Sequence, residues 1–124
     1  MLLETDRVKD ESTLVAPNDG ADGIAADFNL NLLHRLNREL GADFDAAGFH
    51  DLARWNCLES RIEMNLEITP MQCVSIAAAH LDLQFEKRQP MQTENGYKFA
   101  SESIRIPLED AGFDSEQTWT DALR

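Results

Sequence analysis

Hydrophobic residues recur at helical spacing between residues 24 and 40, and this segment is the clearest predicted element of the chain. The apolar positions on its first face are Ile24, Phe28, Leu32, Leu33, Leu36 and Leu40. The opposite face carries Asn29, Asn31, Arg35 and Asn37. Asp22 is a candidate N-cap, and Gly41 stands where a glycine commonly ends a helix. The pattern predicts an amphipathic helix over residues 24–40 that packs its leucine stripe into the core.

A period of two replaces the helical spacing after Gly48. Residues 61–69 alternate, with Ile62, Met64, Leu66 and Ile68 on one face and Arg61, Glu63, Asn65 and Glu67 on the other. Further strands are predicted at residues 49–55, 73–76 and 81–85, the last two joined through the alanines at 77–79. The middle of the chain is therefore predicted to be an antiparallel meander.

The two ends of the chain carry weaker patterns. Residues 2–8 are predicted to form a short strand, and residues 12–16 a helical turn stopped by Pro17. Residues 18–23 have the composition of a loop. Near the other end, residues 113–120 are predicted to form a final strand.

A last helix is predicted to follow Ser101, which is its candidate cap. Its inward side would carry Ile104, Leu108 and Ala111, and Gly112 would close it. Pro107 lies inside this segment and removes a backbone donor, which predicts a kink or a cost of about 3 kcal/mol.

Residues 93–99 follow the predicted strands and hold a carboxylate, an amide, a glycine and an amphipathic aromatic residue. One interpretation is a ligand-facing loop on a β scaffold, because loops held by rigid strands often carry function. The other is a solvated hairpin turn in which Asn95 and Gly96 supply the positive φ angles that a tight turn needs. The residues alone leave both interpretations open.

Composition and charge narrow the class of protein. With 124 residues, 43% hydrophobic and 27% charged, the chain has the length and composition of one globular domain. The net charge of −12 disfavours binding to nucleic acid or to an anionic membrane surface. The sequence shows neither a signal peptide nor an apolar run of membrane-spanning length, so a cytoplasmic protein is expected. Cys57 and Cys73 are then expected to be reduced, half-buried thiols.

No local motif assigns a reaction. His34, His50 and His80 are far apart, and no His/Cys pair has metal-ligand spacing, so no metal site is predicted. Neither a G-x-G-x-x-G nor a G-x-x-x-x-G-K motif is present. No catalytic residue follows from these residues alone.

Four blocks in order, however, resemble the C-terminal part of the histidine-specific, S-adenosylmethionine-dependent methyltransferases. These enzymes are the L-histidine Nα-methyltransferases of ergothioneine biosynthesis. The blocks are GIAADFNLNLL at 23–33 with NRELG at 37–41, SRIEM at 60–64, TEN at 93–95 with YK at 97–98, and AGF at 111–113 with WTD at 119–121. Each block is short, but their common register covers nearly the whole chain.

The resemblance implies an α+β fold in which a substrate-recognition domain is inserted into a Rossmann-like S-adenosylmethionine domain. On that template, residues 1–8 are the remnant of a cofactor-domain strand and residues 9–98 the substrate-recognition domain. Residues 99–124 are the truncated return into the Rossmann-like domain. The cofactor-binding glycine loop of the family lies upstream of the part that these residues resemble, so no cofactor-binding residue is assigned.

The resemblance also implies three substrate-binding residues. Glu94 matches the glutamate that accepts a hydrogen bond from the substrate imidazole, and Met64 matches a position beside that ring. Gly96 stands where the family usually has a serine that also contacts the imidazole. Tyr97 and Lys98 are expected to help hold the loop.

Other departures from the family pattern lie near the ends. A tyrosine expected before the long helix is replaced by Pro17 and Asn18, and Pro107 interrupts a family helix. The expected function is thus that of a fragment: the L-histidine-binding part of a methyltransferase, inactive unless another chain supplies the cofactor domain. The alternative is a non-enzymatic, acidic α+β binding module or the relic of a truncated gene.

Overall fold

The structure, a computed structural model, describes residues 1–15 and 23–120. Its helices are α1 (Glu11–Val15), α2 (Ile24–Leu40) and α3 (Arg105–Asp110), with short 3-10 turns at Ala46–Gly48 and Ala77–Ala79. Its strands are β1 (Phe49–Asn56), β2 (Arg61–Ile68), β3 (Gln72–Ile76), β4 (Leu81–Phe85) and β5 (Pro90–Tyr97). The predicted α+β class, the long helix and the four predicted strands of the middle section are confirmed.

The strands form two separate sheets, so the prediction of one continuous meander is wrong. An antiparallel sheet has the order β1-β2-β5, and among the described strands β3 pairs with β4 alone. β2 is therefore the central strand of this sheet. The β3–β4 hairpin is inserted in the sequence between β2 and β5. The hairpin buries Val74, Ile76 and Phe85 against the rest of the core, which is why it folds back rather than extending the sheet.

Helix α2 has its predicted bounds but buries a different face. Leu33 is fully buried and Asn29 is only 5% exposed, whereas Ile24 and Phe28 are 76% and 71% exposed. Leu32 and Leu40 are also exposed. The expectation that the whole stripe packs into the core is therefore wrong for these four residues. The helix is turned about its axis because Asn29 hydrogen-bonds to β1 and β2, a long-range contact that periodicity does not contain.

The ends of α2 are set by two glycines. Gly41 has φ 60° and its amide donates to the carbonyl of Leu36, which confirms its predicted role as the terminating glycine. At the other end the residue before the helix is Gly23, with φ 72° and no side-chain capping bond. The predicted cap Asp22, the predicted stop Pro17 and most of the predicted 18–23 loop lie outside the described residues.

The core consists of two clusters of buried side chains. The larger one lies between α2, the β3–β4 hairpin and one end of the main sheet, and its members are Leu33, Phe44, Phe49, Leu66, Ile68, Val74, Ile76 and Phe85. Its three phenylalanine rings pack with centroids 5.9–6.0 Å apart. The smaller cluster contains Leu14 from α1, Ala53 from β1, and Ile62 and Met64 from β2. The alternating face predicted for β2 is thus shared between both clusters.

Both terminal strands predicted from the sequence are absent from the described residues. Residues 2–8 form a single parallel bridge, Arg7 to Phe99, rather than a strand, and residues 113–120 form none. Within residues 1–15 and 23–120, neither segment has a neighbouring strand with which a ladder could continue. Cys57 and Cys73 are both exposed and free, so the expectation that they are half-buried is wrong. Among the described helices, none is long and apolar enough to cross a membrane.

Helix α3 begins later than predicted. It starts after Ile104 with no side-chain capping bond, so Ser101 is not its cap. Pro107 consequently falls in the first turn, where backbone N–H groups have no intrahelical acceptor, and the predicted kink or cost does not arise. Gly112, at φ 81°, ends the helix as predicted, with its amide donating to Glu109. No residue of α3 is buried, and Ala111 is exposed.

Asp6 ties the N-terminal segment to the end of β5. Its carboxylate lies 2.9 Å from the ammonium groups of both Lys9 and Lys98, and its carbonyl accepts from the Phe99 amide. Hydrogen bonds from Lys9 and Lys98 lower the pKa of Asp6 from 3.8 to about 2. The N-terminal segment is thus fastened by ion pairs and two backbone bonds instead of by a strand.

We expect Asp6→Asn to lower the free energy of unfolding by about 1 kcal/mol at pH 7, since a carboxylate with 46% of its side chain exposed is screened by water. A depressed carboxyl pKa stabilises the fold above the unfolded-state pKa and ceases to do so as pH falls through the folded-state value. The deficit should therefore disappear between pH 4 and about 2. Denaturant titrations across that range measure it, with the exposed Asp10→Asn as control. A deficit independent of pH would contradict the ion-pair account.

Candidate functional site

Strand β5 carries the residues that the sequence placed in a loop. Glu94 and Gly96 lie within Pro90–Tyr97, so residues 93–99 form neither a ligand-facing loop nor a hairpin turn. Neither Asn95 nor Gly96 has a positive φ. Both interpretations of the segment's shape are therefore wrong, because pairing with β2 imposes an extended backbone that the Asn-Gly pair tolerates. Placement on a paired strand holds the backbone of Glu94 more firmly than a loop would.

The register of β2 against β5 brings the three predicted site residues onto one face. Met64 lies directly opposite Glu94, and Ile62 lies directly opposite Gly96. Directly opposed residues of an antiparallel pair project to the same side of the sheet. That side is the one that buries Ile62 and Met64 beneath Leu14 of α1. Glu94, Met64 and Gly96 are thus neighbours, although 30 positions separate Met64 from Glu94 in the sequence.

The environments of these neighbours differ sharply. Met64 is 8% exposed and packs with Leu14, Ala53 and Ile62. Glu94 is exposed, and no hydrogen bond or ion pair joins its carboxylate to another residue of the described chain. The pair therefore places a free anionic acceptor beside an apolar sulfur-containing wall. That combination suits a small planar ligand with an N–H donor, because the ring can pack while the donor is satisfied.

Gly96 leaves room for a side chain. A Cβ built there would lie 3.8 Å from the Lys98 Nζ and 4.0 Å from the Ile62 Cβ, both ordinary contacts. Its backbone does not demand glycine either, since φ is not positive. The fold of this strand therefore does not force glycine at the position where the resemblance implies a serine.

A buried polar network beside the site was not found from the sequence. Asn29 of α2 donates to the Asp51 carboxylate at 2.6 Å and to the Asn65 carbonyl at 3.2 Å, and accepts from the Thr93 hydroxyl at 2.6 Å. Asn29 and Asn65 are 5% and 6% exposed. The one available signal was spacing: Asn29 lies four residues before Leu33 and hence on its face of the helix.

Tyr97 and Lys98 fasten the end of β5. The Tyr97 hydroxyl accepts from Arg61 at 2.8 Å, and the Arg61 guanidinium lies 5.6 Å from the centroid of its ring. Lys98 pairs with Asp6, and its amide donates to the carbonyl of Ser60. Hydrogen bonds from Asn56 and Arg61 lower the pKa of Glu63 on the polar face of this sheet. These contacts secure the end of a strand, whereas the resemblance implied that Tyr97 and Lys98 hold a loop.

The described residues provide no set of ligands for a metal ion and no binding loop for a cofactor. Across residues 1–15 and 23–120, His, Cys, Asp and Glu form no group of three or more that could hold a metal ion. The glycines of these residues lie at helix ends or within the short turn and strand at Gly48 and Gly96, and they form no glycine-rich loop. A groove of about 810 Å³ between the terminal segments is lined by residues such as Leu3, Phe99 and Trp119, and it does not include Glu94, Met64 or Gly96.

Comparison of the sequence with known families defines the class of protein. Residues 1–124 match the protein family described as histidine-specific methyltransferase, SAM-dependent, along their whole length. The chain belongs to this family, which confirms the resemblance seen in its four sequence blocks.

Two proteins with similar sequences are named histidine N-alpha-methyltransferase. The protein of Mycolicibacterium smegmatis (strain ATCC 700084 / mc(2)155) is 44% identical over 121 residues, which are 98% of this chain and 38% of the relative. That of Mycobacterium tuberculosis (strain CDC 1551 / Oshkosh) is 42% identical over 121 residues, with the same two coverages of 98% and 38%. The chain therefore spans little more than a third of the length of these relatives.

Proposed function

We propose that this chain forms the substrate-recognition part of an S-adenosylmethionine-dependent methyltransferase that acts on the α-amino group of L-histidine. The observation that carries the proposal is the direct pairing of Glu94 with Met64, which sets a free carboxylate beside an apolar wall. Membership of the histidine-specific family and the names of the two relatives support the choice of ligand. The product, histidine trimethylated at its α-amino nitrogen, would be used in the cytoplasm for ergothioneine biosynthesis.

In this proposal Glu94 accepts a hydrogen bond from an imidazole N–H, and Met64 and the Gly96 backbone border the ring. A charged acceptor contributes roughly 1.5–3 kcal/mol when the site is shielded from water. Only 8% of the Met64 surface is exposed, so Met64 would contact the ring through one edge of its side chain. The role of these residues is to bind and orient histidine, so that its amine is held in place for transfer.

The methyl donor does not fit the residues that the structure describes. These residues form no glycine-rich loop, and the groove between the terminal segments shares no residue with the pairing of Glu94 and Met64. We propose that S-adenosylmethionine is bound by the Rossmann-like part of the family's fold, carried by residues other than these or by a separate chain. Residues 1–8 and 99–124 would border that part, and residues 9–98 would form the recognition domain.

Histidine titration of the 124-residue chain tests the proposal. Glu94→Gln keeps the shape of the side chain but removes its charge, so we expect the dissociation constant to rise about 10- to 100-fold. The exposed Glu102→Gln is the matched control and should bind as the unaltered chain does. Equal affinity in Glu94→Gln and Glu102→Gln would reject the assigned role. Absence of histidine binding up to millimolar concentration would favour the non-enzymatic module or relic.

Gly96→Ser should strengthen histidine binding. The backbone accepts a Cβ without strain, and a hydroxyl on the face of Glu94 adds a hydrogen bond of about 0.5–1.5 kcal/mol, equivalent to a gain of about 2- to 12-fold. Isothermal titration with histidine measures the gain, and Gly96→Ala separates the hydroxyl from the extra methyl group. If the alanine and serine variants bind equally, the hydroxyl has no role.

A further inference from the structure

Strand β5 contains one residue more than β2 provides partners for. Glu94 pairs with Met64 and Gln92 pairs with Asn65, so Thr93 has no residue opposite it. The register shifts at this point, which defines a β-bulge. A bulge changes which face of the sheet the following side chains occupy, and so its position decides what the strand presents on each side.

The bulge reconciles two demands on β5 that a regular strand could not meet. Met91 pairs with Leu66 and packs against the larger core cluster, while Glu94 pairs with Met64 on the same face. These two residues of β5 are three positions apart, and in a regular strand they would point to opposite faces. Without the extra residue, burying Met91 would turn Glu94 to the other side of the sheet. The bulge is therefore what sets Glu94 beside Met64.

Thr93 holds the bulge through its hydroxyl. The oxygen lies 2.6 Å from the Asn29 Oδ1 and 3.1 Å from the Met64 carbonyl oxygen, so the hydroxyl donates toward acceptors on α2 and β2. Asn29 is itself held in place, because its amide nitrogen donates hydrogen bonds to the Asp51 carboxylate and to the Asn65 carbonyl. The helix is thus tied to the sheet at the residue next to Glu94.

We propose that Thr93, anchored by Asn29, is a positioning residue for the histidine site. It acts through Glu94: the hydroxyl fixes the bulge, and the bulge fixes the face and direction of the carboxylate. Thr93 itself does not touch the ligand. The inference rests on the proposed function, in which Glu94 accepts a hydrogen bond from the imidazole. It extends that function to Thr93, which lies next to Glu94 and outside the proposed ligand contacts.

The test compares Thr93→Val, which keeps the shape of the side chain and removes the hydroxyl, with Thr93→Ser, which keeps the hydroxyl. In the 124-residue chain we expect Thr93→Val to weaken histidine binding about 5-fold or more, and Thr93→Ser to bind within about 2-fold of the unaltered chain. NMR should show the cross-strand Hα contact between Met64 and Glu94 in Thr93→Ser and its weakening in Thr93→Val. Thr93→Ala replaces Thr93→Val if the latter does not fold.

The outcomes separate this inference from the proposed function. If Glu94→Gln weakens histidine binding while Thr93→Val leaves it and the Met64–Glu94 contact unchanged, the positioning role is overturned and the proposed function stands. If neither Glu94→Gln nor Thr93→Val alters histidine binding, both fail. A loss of binding in Thr93→Val that Thr93→Ser restores supports the inference, since a general loss of packing would not be rescued by a hydroxyl alone.

Discussion

Asn29→Asp is expected to lower the free energy of unfolding by about 3 kcal/mol or more. The substitution replaces an amide that donates to the Asp51 carboxylate at 2.6 Å with a second carboxylate, in a position only 5% exposed. A buried charge at this position would face a like charge and a carbonyl oxygen, and among the described residues only Thr93 donates to it. Urea denaturation at pH 7 measures the loss.

The matched control is Asn31→Asp, which makes the same chemical change two residues along the same helix at an exposed position. Surface substitutions of this kind change stability by about 0.5 kcal/mol or less. The two variants have the same helix propensity and the same net charge, so their difference isolates the buried network. Equal stability of the two would show that Asn29 does not make these bonds in solution.

Leu33→Ala is expected to cost about 2–5 kcal/mol, because Leu33 is fully buried in the larger core cluster and its truncation leaves a cavity. Phe28→Ala removes a larger side chain from the same helix but should cost about 0.5 kcal/mol or less, since Phe28 is 71% exposed. Thermal or denaturant unfolding of both variants measures the contrast. The helical periodicity alone predicts two comparable losses, so a large loss in Phe28→Ala would favour that interpretation over the observed packing.

The proposed site shows how far sequence reasoning reached. The family blocks predicted Glu94, Met64 and Gly96 as substrate-binding residues, and the register of β2 against β5 places the three together on one face. The predicted backbone shape of residues 93–99 was wrong. An Asn-Gly pair favours a turn by itself, but here its backbone is extended because the neighbouring strand supplies the hydrogen bonds. Asn29 and Thr93 were missed, since their contact joins residues 64 positions apart.

Local patterns determined α2 and β1 to β4, but neither β5 nor the ends of the chain. The helical spacing of residues 24–40, the terminating Gly41 and the alternation of β2 are properties of neighbouring residues, and the structure has them as the sequence predicts. Tertiary contacts decided which face of α2 is buried, that β5 rather than β3 pairs with β2, and on which side of the sheet Glu94 lies. The physical reason is that these choices depend on hydrogen bonds from Asn29 and Thr93 to distant strands, and a periodic pattern of apolar residues leaves such bonds unspecified.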